Sequence, residues 1–80
     1  MEKFKRMVEA GFSARQARDT ILDGLGFTRA DIAAEAEASE YTALNVLAGG
    51  PWMGEKSQRV RQVTADIIGG PVSEVFPEVQ

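Results

Sequence analysis

Apolar residues recur along this chain at three- and four-residue intervals, in runs divided by glycine. Such spacing lays one apolar stripe along a helix, whereas strict alternation, the mark of a half-buried strand, is absent throughout. Phe4, Met7 and Val8 define a stripe on a short N-terminal helix or arm within 1–12. Ser13 is the N-cap of a second helix, with Gln16 at the reciprocal capping-box position, Ala17, Ile21 and Leu25 facing inward, and Gly26 as its stop. Thr28 caps the next helix with Asp31 three residues on, where an acid also suits the positive end of the helix dipole, and Ile32, Ala33 and Ala36 face inward. Ser39 caps a further helix with Ala43, Val46 and Leu47 inside, ended by Gly49, Gly50 and Pro51. Residues 54–69 carry Val60, Val63 and Ile67 on one face and stop at Gly69, and Val72, Val75 and Phe76 in the 70–80 tail close the core. The pattern predicts one all-α domain over 1–80, a compact bundle of four to five short helices.

Composition adds limits. Eighty residues with 44% apolar and 26% charged side chains suit a globular domain near the lower size limit. A core of that size leaves about 3–5 kcal/mol of net stability, so association into a homodimer is a natural supplement. The chain has no cysteine and no histidine, which removes the usual thiol nucleophile and the usual general base; an enzyme is not expected, nor a cofactor. Asp31 and Glu35 stand four apart and can share a metal, but two acids on a helix face are more simply solvated, and the acids lack calcium-loop spacing. "GGPWMGEKS" has the glycine spacing of a phosphate-gripping loop at Gly49 and Gly54, yet Glu55 stands where the lysine is required and no strand precedes it. No apolar run approaches the roughly 18 residues of a membrane span, and "MEKFKRMVEAG" lacks a signal-peptide core, so the expected location is the cytoplasm.

Charge changes the picture more. The formal net charge is −3, and between residues 30 and 54 there is no Lys or Arg while Asp31, Glu35, Glu37 and Glu40 are all present. Six of the nine basic residues lie within 1–29 and three within 56–61. An acidic hairpin thus stands between two basic shoulders, and distribution matters more than the sum for a polyanionic partner.

The stretch "DIAAEAEASEYTALNVLAGG" resembles the helix-turn-helix of the lambda-repressor and Cro family. Ala33 matches the small residue at the helix crossing, Ile32, Ala36, Ala38, Ala43 and Val46 match the buried positions, and Ser39 matches the cap of the recognition helix. The likeness runs from about residue 14 to 78, with the helix-turn-helix at 28–49 and the fourth helix of that fold at 54–69. Within the family, "ARDTILDGLGFTRADIA" and "GPWMGEK" are similar to the small Ner-like regulators of phages and transposable elements. One departure is Glu37, where the family has glycine in a left-handed conformation, a substitution worth about 1 kcal/mol.

The resemblance implies a sequence-specific transcriptional regulator of a phage, mobile element or bacterial gene, bound as a dimer to double-stranded DNA. It assigns the base edges to Ser39, Glu40, Tyr41, Leu44 and Asn45. Asn45 suits adenine N6 and N7, Glu40 suits cytosine N4 or simply the helix dipole, and Leu44 suits a thymine methyl. The phosphates fall to Arg29, Lys56, Ser57, Arg59 and Arg61 with the free amides beside them. Arg15 and Arg18 share a face of the second helix, and Arg15 can pair with Asp19. Candidate dimer surfaces are Phe4, Met7 and Val8, or Trp52 and Met53; Trp52 can instead lie against sugar-phosphate or cap the core, and capping the core is the expectation. The competing expectation, favoured by the acidity of 30–55, is a protein-interaction module on the same fold that no longer binds DNA, an antirepressor or assembly factor.

Overall fold

The computed structural model describes residues 1–79. It is all-helical, with no strand among the described residues: α1 (Glu2–Glu9), α2 (Ala14–Gly24), α3 (Arg29–Glu35), α4 (Glu40–Leu47), α5 (Glu55–Ile68) and α6 (Val72–Val75). The expected final turn is a sixth, one-turn helix, so the bundle has one element more than the four to five read from periodicity.

Local chemistry sets the helix starts. The Ser13 hydroxyl accepts the Gln16 amide at 3.1 Å while Gln16 Oε1 accepts the Ser13 amide at 2.9 Å, and Thr28 and Asp31 make the same reciprocal pair at 3.1 and 2.8 Å. Accepting the Thr28 amide and hydroxyl holds the Asp31 carboxyl below its ordinary range. Ser39 accepts the Thr42 amide at 3.1 Å.

Five helices end on one device, in which an amide closes back on a carbonyl five residues earlier over a residue in the left-handed region: Phe12 on Met7 at 3.0 Å, Phe27 on Leu22, Ala38 on Ala33 and Gly50 on Asn45 at 2.9 Å, and Gly70 on Ala65 at 3.1 Å. Glycine occupies the left-handed position in four of them, Gly26 (φ 83°) and Gly49 (φ 93°) among these; in the fifth it is Glu37, at φ 54°. A Glu37→Gly substitution is therefore expected to raise stability by about 1 kcal/mol, less the entropy glycine adds to the unfolded chain, read as a higher urea midpoint at unchanged slope.

The core gathers Phe4, Ile21, Leu22, Ile32, Val46, Leu47, Val60, Ile68, Val75 and Phe76, with Ala33, Ala36 and Ala43 at the α3–α4 crossing so that the two backbones approach closely. Two inward assignments change. Leu25 is 57% exposed, because α2 ends at Gly24 and its buried stripe runs through 17, 18, 21 and 22, giving Leu22 the inner place. On α1, Phe4 is buried and Met7 packs against the core, but Val8 turns to solvent.

Arg18, fully buried on the same stripe, is the largest correction. Its guanidinium donates to Leu47 O at 2.6 Å and Val75 O at 2.9 Å, takes both Glu78 carboxylate oxygens at 2.9 Å, and lies 4.3 Å over the Phe76 ring. It satisfies a carbonyl at the C-terminal end of α4, where no amide of the same helix is left to do so, and one in α6. The residue belongs to the interior and not, with Arg15, to a basic surface.

Candidate nucleic-acid interface

Helix α4 turns Val46, Leu47 and Ala43 into the core, and the 3.6-residue period leaves Glu40, Tyr41 and Leu44 on its outer side. Ser39, Glu40, Tyr41 and Leu44 are exposed and Asn45 is half-buried, so the structure brings all five base-reading candidates onto one element. Two are already engaged. The Ser39 hydroxyl caps Thr42 and donates to its Oγ1 at 3.0 Å, and Asn45 Nδ2 donates to Tyr41 O at 2.8 Å. Asn45 keeps its amide oxygen and one hydrogen for a partner.

Trp52 does not cap the core. It is 39% exposed and stands against Tyr41, ring centroids 5.7 Å apart at 60° in an edge-to-face contact, with Met53 exposed beside it. The segment carrying it is pinned at two points. Gly50 lies so close to α4 that an added Cβ would sit 2.8 Å from Asn45 O, and Arg61 Nη2 donates to both Gly50 O, at 3.1 Å, and Trp52 O. The aromatic residue thereby becomes a fixed extension of the α4 surface.

The expected phosphate contacts divide. Arg29 and Lys56 are exposed, and among the described residues neither has a carboxylate within 4 Å. Arg29 shares a small recess with Arg15, Leu44, Leu47 and Ala48, which brings Arg15 to the border of the α4 surface, only loosely held by Asp19 at 4.0 Å. Ser57 has a buried side chain, so what it offers is its backbone amide in the first turn of α5, a helix whose N-cap, Gly54, makes no side-chain bond. Arg59 is drawn to the end of α3, donating to Ala36 O at 2.8 Å and pairing with Glu55 at 3.0 Å. Arg61, 1% exposed, is committed to the 50–52 carbonyls, and burial lowers its pKa. Both were expected at phosphates; in this fold their guanidinium groups are used on backbone carbonyls left free at an α-helix end and a loop, which the spacing of basic residues does not reveal.

Elsewhere the surface is different. A groove between α3 and α5 has an apolar floor of Phe27, Ala34, Val63 and Ile67, with Asp31, Glu35 and Asp66 around it. Among the described residues no helix is long and apolar enough to cross a membrane. Compared with known families, with curated proteins and with solved structures, the chain matches none.

Proposed function

We propose that the protein is a sequence-specific DNA-binding transcriptional regulator of the lambda-repressor and Cro type, similar to the small regulators of phages and mobile elements, acting in the cytoplasm as a dimer on a promoter or operator. The observation that carries this reading is the placement of α4: exposed Glu40, Tyr41 and Leu44 with half-buried Asn45, bordered by Arg15 and Arg29 on α2 and α3 and followed by Lys56 at the N-terminus of α5, which has no side-chain cap. Backbone amides and cations at such positions orient a reading helix on phosphates, while its side chains meet base edges. The protein would act by occluding or recruiting at the bound site and needs no cofactor for either. With so few free cations per chain, one copy binds weakly and two copies on a repeated site are required.

The test is selection from a pool of random-sequence duplexes followed by salt titration. A retained motif with two half-sites is expected. Arg29→Ala and Lys56→Ala should each lower the slope of log affinity against log salt by about 1, uniformly across sequences. Asn45→Ala should cost about 1–3 kcal/mol on the selected site and little elsewhere. Retention of no duplex even at low salt defeats the proposal.

A second reading has its own observation. The apolar groove rimmed by Asp31, Glu35 and Asp66 suits a basic amphipathic segment of another protein, and on a module without DNA-binding activity it would be the working surface.

A further inference from the structure

We infer that the α4 surface selects sites by the 5-methyl groups of thymine, held against an apolar cluster of Tyr41, Leu44, Trp52 and Met53, and that it does not read guanine. The inference rests on the DNA-binding reading above and names the bases such a surface would choose.

Three observations carry it. First, guanine is recognised in the major groove by a bidentate cation on O6 and N7, and neither α4 nor residues 49–54 contain a Lys or Arg. Arg61, behind this surface, is buried and occupied by Gly50 O and Trp52 O, and Arg15 and Arg29 at its border are the cations assigned above to phosphate. Second, the surface exposes four large apolar side chains close together: Tyr41 is 66% exposed, Met53 60%, and Leu44 and Trp52 39% each. Tyr41 and Trp52 are in contact, Leu44 follows Tyr41 by three residues on the outer side of α4, and Met53 follows Trp52; exposed apolar side chains so placed mark a contact surface, and the one apolar feature of the major-groove edge is the thymine methyl. Third, the cluster is built in advance. Trp52 packs on Tyr41, its own carbonyl is held by Arg61, and Gly50 closes on Asn45 O with no room for a side chain. Ordering the loop therefore costs little on binding. Asn45, half-buried on the same helix, keeps its amide oxygen and one hydrogen for adenine N6 and N7, which adds to the preference for A·T pairs.

The experiment uses two random-sequence duplex pools, one with thymine and one with uracil in its place. Uracil keeps the hydrogen-bonding edge and loses only the methyl. Burial of one methyl is worth about a four-fold change in affinity, so a sequence selected from the thymine pool and remade with uracil in one half-site should bind about four-fold more weakly per contacted methyl. The Trp52→Ala, Met53→Ala variant should show a smaller thymine–uracil ratio on the selected sequence, with its helical circular dichroism unchanged, since both side chains are exposed. Equal binding of the thymine and uracil forms, or a selected motif built on guanine, overturns the inference and leaves DNA binding standing. Failure to retain either pool overturns the DNA-binding reading and the inference with it, and points to a protein partner for the aromatic patch.

Discussion

Arg18→Ala is expected to leave the chain without a cooperative unfolding transition at 25 °C, followed by circular dichroism in urea. The side chain is fully buried, and removing it strips donors from Leu47 O and Val75 O, abandons the Glu78 carboxylate and empties the space against Phe76. Breaking a buried pair by deleting one partner costs about 3–5 kcal/mol, the same size as the whole net stability of a domain this small. Glu78→Gln, which keeps the shape and one acceptor at a partly solvated position, should cost only about 1 kcal/mol. Acid pH probes the same contact. Burial alone would raise the Glu78 carboxyl, but the Arg18 hydrogen bond, a backbone bond and the Arg18 charge together hold it below its ordinary value. A carboxyl lowered by folding contributes stability that is complete above its unfolded pKa, about 4.3, and is lost as pH falls through the folded value. The wild-type melting temperature should therefore fall steeply below about pH 4. In Glu78→Gln that decline should be shallower. If it is equally steep, other carboxylates dominate the acid response.

What the sequence predicted well was decided within a few residues. The capping pairs at Ser13–Gln16 and Thr28–Asp31, and the stop at Gly69 (φ 93°), depend on neighbours three or four positions away, and all form. The α3–α4 pair likewise follows from short-range pattern, with alanines where the two helices cross and apolar residues behind them. Arginine is where local reasoning failed. The family resemblance puts Arg59 and Arg61 at phosphates and the helix pattern puts Arg18 on a face with Arg15, but their partners are carbonyls 23, 11 and 29 residues distant, Ala36 O, Gly50 O and Leu47 O. Helix ends and tight loops leave carbonyls without amide partners, and a long guanidinium on a neighbouring helix is the donor that reaches them. Two of the five phosphate candidates, Arg29 and Lys56, keep a free charged side chain, and Arg15 joins them through tertiary placement. The place of Trp52 is hidden for a related reason: a single tryptophan after two glycines and a proline gives no sign that Tyr41, eleven residues earlier, is its neighbour.

Trp52 supplies the means of testing the second buried arginine, because it is the only tryptophan in the chain. Two effects oppose each other in Arg61→Met. The loss of a charged donor from Gly50 O and Trp52 O removes hydrogen bonds worth about 1.5–3 kcal/mol each. Against this, the variant no longer buries a guanidinium whose Nε and Nη1 have no hydrogen-bond partner, whose charge has no carboxylate within 4 Å among the described residues, and whose volume methionine largely replaces. Gly50 and Trp52 lie near solvent, so water recovers part of what their carbonyls lose. The net cost should be about 2 kcal/mol, leaving a folded but weaker domain, in contrast to Arg18→Ala. The local consequence is larger than the global one. With its carbonyl released, Trp52 should leave Tyr41, shift its emission to longer wavelength and become more accessible to acrylamide, while the helical circular dichroism signal is preserved. If the loop is held chiefly by Arg61, thymine-dependent affinity declines in the same variant without change in the salt slope. If the Trp52 emission stays where it is, the close approach of Gly50 to Asn45 O holds the loop unaided, and Gly50→Ala, whose Cβ cannot be accommodated at 2.8 Å from that backbone oxygen, becomes the substitution that releases it.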